Sequence, residues 1–188
     1  MICSLTSDCS IAGNRAPVSG DVVMGLRWDR HDANPGQPAR HADLDAFCVL
    51  FDGQERPVEL VHPGATRNSN GSVVHTGDST TGASAWDDER IFVFLDALPE
   101  EISMLAFVVR SATGRVFRDV PGASGHLSDA ATECVYLRAD LQPYGYSIAR
   151  CMAILRRRPD GWHILDRSEA GSLAVAAESL ALGIEDKA

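Results

Sequence analysis

The chain has 188 residues, 45% of them hydrophobic, and no apolar run reaches the ~18 residues of a membrane span, so one globular domain with a sizeable core is expected. The formal net charge of −9 argues against a nucleic-acid surface and against adsorption on anionic lipid, while the lack of a long apolar run argues against direct membrane insertion. The acidic charge fits cation binding and plain solubility equally. Five cysteines, Cys3, Cys9, Cys48, Cys134 and Cys151, are odd in number and lack a CxxC spacing, which points to a reducing cytoplasm rather than a disulfide framework. The opening MICSLTSDCS lacks the basic region and apolar core of a signal peptide.

Short apolar runs bounded by turn residues dominate the sequence. In chain order they are Val22–Trp28, Asp45–Phe51, Arg90–Leu95, Met104–Val109, Glu133–Ala139, Ser147–Leu155 and Gly161–Asp166. All are rich in Val, Ile, Phe or Tyr and too short for ordinary helices, so they read as strands. Residues 30–40 are polar, hold two prolines and read as a loop. Asp52-Gly53, Pro63-Gly64, Asn70-Gly71 and Pro121-Gly122 punctuate the runs, and Arg156–Gly161 reads as a hairpin turn with a solvated basic flank rather than an anion site. Many short strands without helical periodicity between them indicate an all-β fold, a β-sandwich of two mostly antiparallel sheets in a single domain spanning 1–188. A helix is expected only at the C-terminus. Asp166 and Glu169 have capping-box spacing, and Leu173, Ala177, Leu180 and Ile184 form an apolar stripe suited to lying on the sandwich.

The chemistry concentrates in acid-dense loops. NGSVVHTGDSTTGASAWDDE (Asn70–Glu89) carries Asp78, Asp87, Asp88 and Glu89, and ADLDA upstream carries Asp43 and Asp45. Like charges repel, so such loops make sense around something positive, and a hard divalent cation held by carboxylate and carbonyl oxygens is the natural candidate. Alternation along the second run puts Leu44, Ala46, Cys48 and Leu50 on one face and Asp43, Asp45, Phe47, Val49 and Phe51 on the other. The two carboxylates then sit where the strand enters the sandwich, still able to meet solvent. Asp29 closes GLRWD and could share that rim. Gly77 and Gly82 bracket a tight loop in which Thr80 and Thr81 offer further oxygens. The spacing is not that of an EF-hand, and Asp and Gly favour turns without any ion.

At these residues the chain resembles the TerD family, the calcium-binding tellurite-resistance and stress-response domain of bacteria. The resemblance rests on GLRWD (Gly25–Asp29), ADLDAFCVLF (Ala42–Phe51), NGSVVHTGDSTTG (Asn70–Gly82) and DDERIFVFLDALP (Asp87–Pro99), in the family's order and spacing. It implies a sandwich with calcium in adjacent loops at one edge. The implied ligands are Asp29, Asp43, Asp45, Asp78, Asp87, Asp88 and Glu89, with Thr81 and Gly82 as carbonyl donors. It also implies a non-enzymatic role exerted through other stress-response or membrane-associated proteins. The chain departs from the family pattern in several places: His62-Pro63-Gly64 and Arg67 stand before the glycine turn, Ser79 replaces an asparagine, Ala83–Trp86 replaces an acidic spacer, and Arg27 replaces a glycine. The region Ser111–Ala131 departs as well. Fewer acids at the rim imply one or two ions held with reduced affinity.

Three other readings compete with this one. A structural sandwich with a degenerate metal site follows from the lost spacer acids. A hydrolase would use Ser79 with His75 nearby, but there is no G-x-S-x-G elbow and no oxyanion signature. Thiol or imidazole metal chemistry is opposed by the scatter of the Cys and His residues. His31, His41, His62, His126 and His163 read as surface or turn residues, with His75 also a candidate for the core.

Overall fold

The computed structural model describes residues 17–18, 20–30, 41–165 and 167–184. Among these residues ten strands form: β1 Val22–Arg27, β2 Leu44–Phe51, β3 Pro57–Val61, β4 Val73–His75, β5 Glu89–Val93, β6 Met104–Ser111, β7 Ser124–Asp129, β8 Val135–Asp140, β9 Ala149–Arg158 and β10 Gly161–Leu165. They make two five-stranded sheets, ordered β4-β5-β1-β7-β8 and β10-β9-β6-β2-β3. Every pairing is antiparallel. A helix, α1 (Arg167–Leu182), lies on the second sheet and is interrupted at Gly171, where φ is 46° and ψ −125°. The expected all-β sandwich with a C-terminal helix is the fold observed.

All seven expected runs carry a strand. The three strands absent from the sequence reading each have a physical reason. β3 opens on a proline and is an edge strand, the sheet position that tolerates one. β4 has only three residues and is also an edge. β7, SGHLSD, contains no β-branched or aromatic residue, and its strand conformation is imposed by β1 and β8 on either side. The turn after β9 is shorter than Arg156–Gly161, because β9 runs to Arg158 and β10 begins at Gly161. The three arginines diverge. Arg156 reaches Glu55 at 2.7 Å, and Arg157 lies over the Trp162 ring at 4.9 Å. Arg158 is exposed.

The alternation in β2 separates two cores. Leu44, Ala46, Cys48 and Leu50 pack between the sheets with Met24, Leu26, Ile91, Phe107 and Trp162. Phe47, Val49 and Phe51 face the other way, against Leu173, Ala174, Ala177 and Ala181 of α1. Small alanines let the helix approach the sheet closely. Leu180 and Ile184 pack at the margin of this second core. The proposed cap at Asp166 lies outside the described residues, as do Cys3, Cys9, His31 and most of the 30–40 loop. Cys48 and Cys151 are buried free thiols, and burial pushes Cys151 up to about 12. No helix among the described residues is long and apolar enough to cross a membrane.

Candidate metal centre

The start of β2, the end of β6, the 62–65 turn, the 78–80 loop and the end of α1 enclose a groove of about 750 Å³. Asp43, Asp45 and Asp78 converge there, each offering an oxygen within 4.8 Å of the others. Their environments differ. Asp45 is held by strand pairing and buried, Asp43 is half-buried, and Asp78 is exposed on its loop. Thr80 lines the same groove. This is a set of hard oxygen donors, suited to calcium or magnesium rather than to a thiophilic metal.

Arg110 also enters the groove. It stands opposite Asp45 in the β2–β6 register, and its Nη2 donates to Asp45 Oδ2 at 2.5 Å. Nη1 donates to the Ile184 carbonyl at 2.7 Å, beyond the C-terminal end of α1. The guanidinium lies 5.1 Å from the Phe47 ring centroid. One cation thus neutralises a buried carboxylate and sits at the negative end of a helix. Asp45 was expected to meet solvent at a strand mouth. The structure buries it instead, because α1 and the arginine cover that end of the sheet.

The other acids named from the sequence lie elsewhere. Asp87 Oδ2 accepts from Arg90 Nε at 2.7 Å and lies 3.2 Å from His126 Nε2. Burial pushes the Asp87 carboxyl up, but the hydrogen bonds and charges of His126 and Arg90 outweigh it and hold the group below its usual range. Asp88 accepts from the backbone N–H of Trp28 at 3.1 Å and of Ser84 at 3.0 Å, so it pins the spacer loop to the end of β1. Glu89 is buried between the sheets. Its Oε2 accepts from Ala46 N at 2.7 Å and Oε1 from Ser79 N at 3.1 Å. Burial raises the Glu89 carboxyl above its ordinary value, against the lowering influence of His75 and these amides. The Asp29 carboxylate lies against Gly122, where a Cβ would meet it at 2.4 Å. Gly82 has φ of 62° and lies under the Trp28 indole, where a Cβ would come within 2.3 Å of the ring. Thr81 is half-buried beside it. Asp43, Asp45 and Asp78 are thus brought together, while Asp87, Asp88 and Glu89 hold the loop framework around them.

His75 is buried, and both ring nitrogens are engaged. Nδ1 accepts from Gly77 N at 3.0 Å, so the proton is on Nε2, which donates to Glu89 Oε2 at 3.2 Å. No ring nitrogen is left to act as a base toward Ser79. His163 is buried too, unlike the surface position expected of it. Sequence reasoning missed Arg110 and His126. Each is separated in sequence from the acid it meets, and only the strand register brings the pairs together.

The TerD domain family model matches residues 1–170. Among curated proteins, the chain is similar to tellurium resistance protein TerZ of Serratia marcescens, 36% identical over 120 residues that cover 64% of this chain and 62% of the relative. It thus spans less than two thirds of that protein. It is also similar to general stress protein 16U of Bacillus subtilis, 33% identical over 132 residues, covering 66% of this chain and 67% of the relative. Among solved structures, a homologue of telluride resistance protein (TerD) from Streptomyces coelicolor shares the fold with a TM-score of 0.67. That likeness comes at 20% identity and covers 78% of this chain and 87% of the other. With the sandwich, the motif order and the family match in agreement, this chain belongs to the TerD domain family.

Proposed function

We propose that the protein is a non-enzymatic calcium-binding stress-response protein of the tellurium-resistance type, acting in the cytoplasm through contacts with other stress-response or membrane-associated proteins. One observation carries the calcium reading: Asp43, Asp45 and Asp78 converge on one groove at the sandwich edge. The names of the relatives, tellurium resistance and general stress proteins, support the cellular role. In this reading the three carboxylates hold the ion, and Thr80 and loop carbonyls complete the ~6–8 oxygens that calcium takes. The ion's contribution is to cancel the repulsion among the acids and fix the 78–80 loop against β2. Because Arg110 already satisfies Asp45 Oδ2, an incoming ion must share that carboxylate or displace the arginine. The competition supports reduced affinity.

The test is a calorimetric calcium titration of the parent, Asp78→Asn and Ser79→Ala. Asp78 is exposed, so its substitution leaves the fold intact and calcium affinity falls sharply. Ser79→Ala keeps the parent's affinity, since that residue is tethered to Glu89 through its backbone N–H. Equal losses in both variants overturn this placement of the ion. The Arg110–Asp45 pair favours a second reading, in which the arginine has replaced the metal's charge and the site has decayed. A ligand that binds only the native state stabilises by about 2.7 kcal/mol at a hundredfold excess over Kd. A melting temperature unmoved by millimolar calcium therefore selects the second reading.

A further inference from the structure

No helix among the described residues covers the outer face of the β4-β5-β1-β7-β8 sheet, and this face carries a concave site of about 310 Å³ lined by Arg27, Trp86, Asp87, Arg90, His126 and Arg138. The register explains the clustering. Gly25 lies opposite Arg90 on one side and His126 on the other, and His126 lies opposite Arg138. Three basic side chains therefore stand in one row across the sheet, and Arg27 joins them from the same face of β1. Gly25 makes the hollow. A Cβ there would fall 2.2 Å from His126 Nε2 and 2.6 Å from Asp87 Oδ2.

The charges do not balance within the site. Asp87 is engaged by both Arg90 and His126. Arg27 and Arg138 are exposed, and neither has an ion-pair partner among the described residues. Glu133 at the rim is the other carboxylate present, which leaves a surplus of guanidinium charge. In a chain of net charge −9 such a local surplus is unexpected, and it repels itself until an anion enters. Guanidinium groups present planar forks of N–H donors that match the oxygens of a phosphate. Trp86, 77% exposed, stands at the rim with a flat face open to solvent.

We propose that this hollow binds a small phosphate monoester, with Arg27, Arg90 and Arg138 on the phosphate oxygens and Trp86 against the planar or apolar remainder of the molecule. The site is separate from the Asp43–Asp45–Asp78 groove and does not depend on the calcium reading.

The test is calorimetry and tryptophan fluorescence on metal-stripped protein at low salt, with inorganic phosphate and phenyl phosphate as probes. Stripping metal keeps calcium from precipitating phosphate and makes the outcome independent of the other site. Both probes should bind one to one, phenyl phosphate more tightly, and added salt should weaken both. Loss of a hydrogen bond to a charged group corresponds to about tenfold or more in affinity, so Arg27→Ala and Arg138→Ala should each weaken both probes by that factor with unchanged melting temperature. Trp86→Ala should abolish the preference for phenyl phosphate and leave inorganic phosphate unaffected. Arg118→Ala, which removes an arginine stacked on Tyr146 outside this hollow, should change nothing. Absence of saturable binding by the parent at millimolar probe overturns the proposal, and so does equal weakening in the Arg118→Ala control.

Discussion

The two sheets bury the same inner face and treat their outer faces in opposite ways. The outer face of the β10-β9-β6-β2-β3 sheet is closed by α1, so β2 is buried at every residue and β6 likewise. Among the described residues no helix covers the outer face of the β4-β5-β1-β7-β8 sheet, and β5 alternates between buried and half-buried positions. A strand buried on both faces must be apolar nearly throughout, and the few polar groups it retains must be paired. Asp45 and Arg110 are such a pair, and they lie at the candidate metal centre. A strand buried on one face can hold charges on the other at little cost. The β4-β5-β1-β7-β8 sheet therefore displays arginines openly, where the β10-β9-β6-β2-β3 sheet holds its ion pair under a helix.

The largest expected difference between the two outer faces comes from a matched pair of phenylalanine truncations. Phe47→Ala removes a fully buried ring beneath α1 and should cost about 3–5 kcal/mol in urea unfolding, whereas Phe92→Ala on the open face should cost well under half as much. Equal costs would show that the open face is covered in solution.

Arg110→Met comes next. Removing one partner of a buried pair leaves Asp45 uncompensated and should cost roughly 3 kcal/mol without metal. If calcium occupies the groove, the ion replaces the lost charge, and the variant should gain more from calcium than the parent does. A deficit untouched by calcium argues against ion binding at Asp45.

Gly82→Ala probes the loop between the two regions. Its positive φ and its contact with Trp28 should together cost about 2 kcal/mol, read as a drop in melting temperature.

The smallest effects are in the pH dependence. Asp87 titrates below its ordinary value when folded, so its contribution is present above the unfolded pKa and is lost as pH falls through the folded one. Asp87→Asn should flatten the acid limb of stability against pH. Glu89 is shifted upward, so its contribution has the opposite sign and is lost as pH rises through the folded value. Glu89→Gln should remove that loss. Identical pH profiles for the two variants would contradict the difference in their surroundings.

The sequence by itself determined the fold class, the two faces of β2, the C-terminal helix and the acid-bearing loops. These follow from local periodicity and turn chemistry, which neighbouring residues set among themselves. Alternation along Leu44–Phe51 leaves apolar residues on both faces of a strand, and Leu173, Ala177, Leu180 and Ile184 recur at helical spacing to give one apolar face. Tertiary structure decided which acids meet. Asp43 and Asp78 are far apart in the chain and come together because two loops end at one sandwich edge, while Asp87, Asp88 and Glu89, closer to Asp78 in sequence, turn toward amides, His126 and Arg90 instead. It also decided the partners of the charges. Arg110 finds Asp45, and Arg90, His126 and Arg138 fall into one row, through antiparallel register alone. Register is fixed by the packing of whole strands, so a long-range pair of charges leaves no local pattern in the sequence.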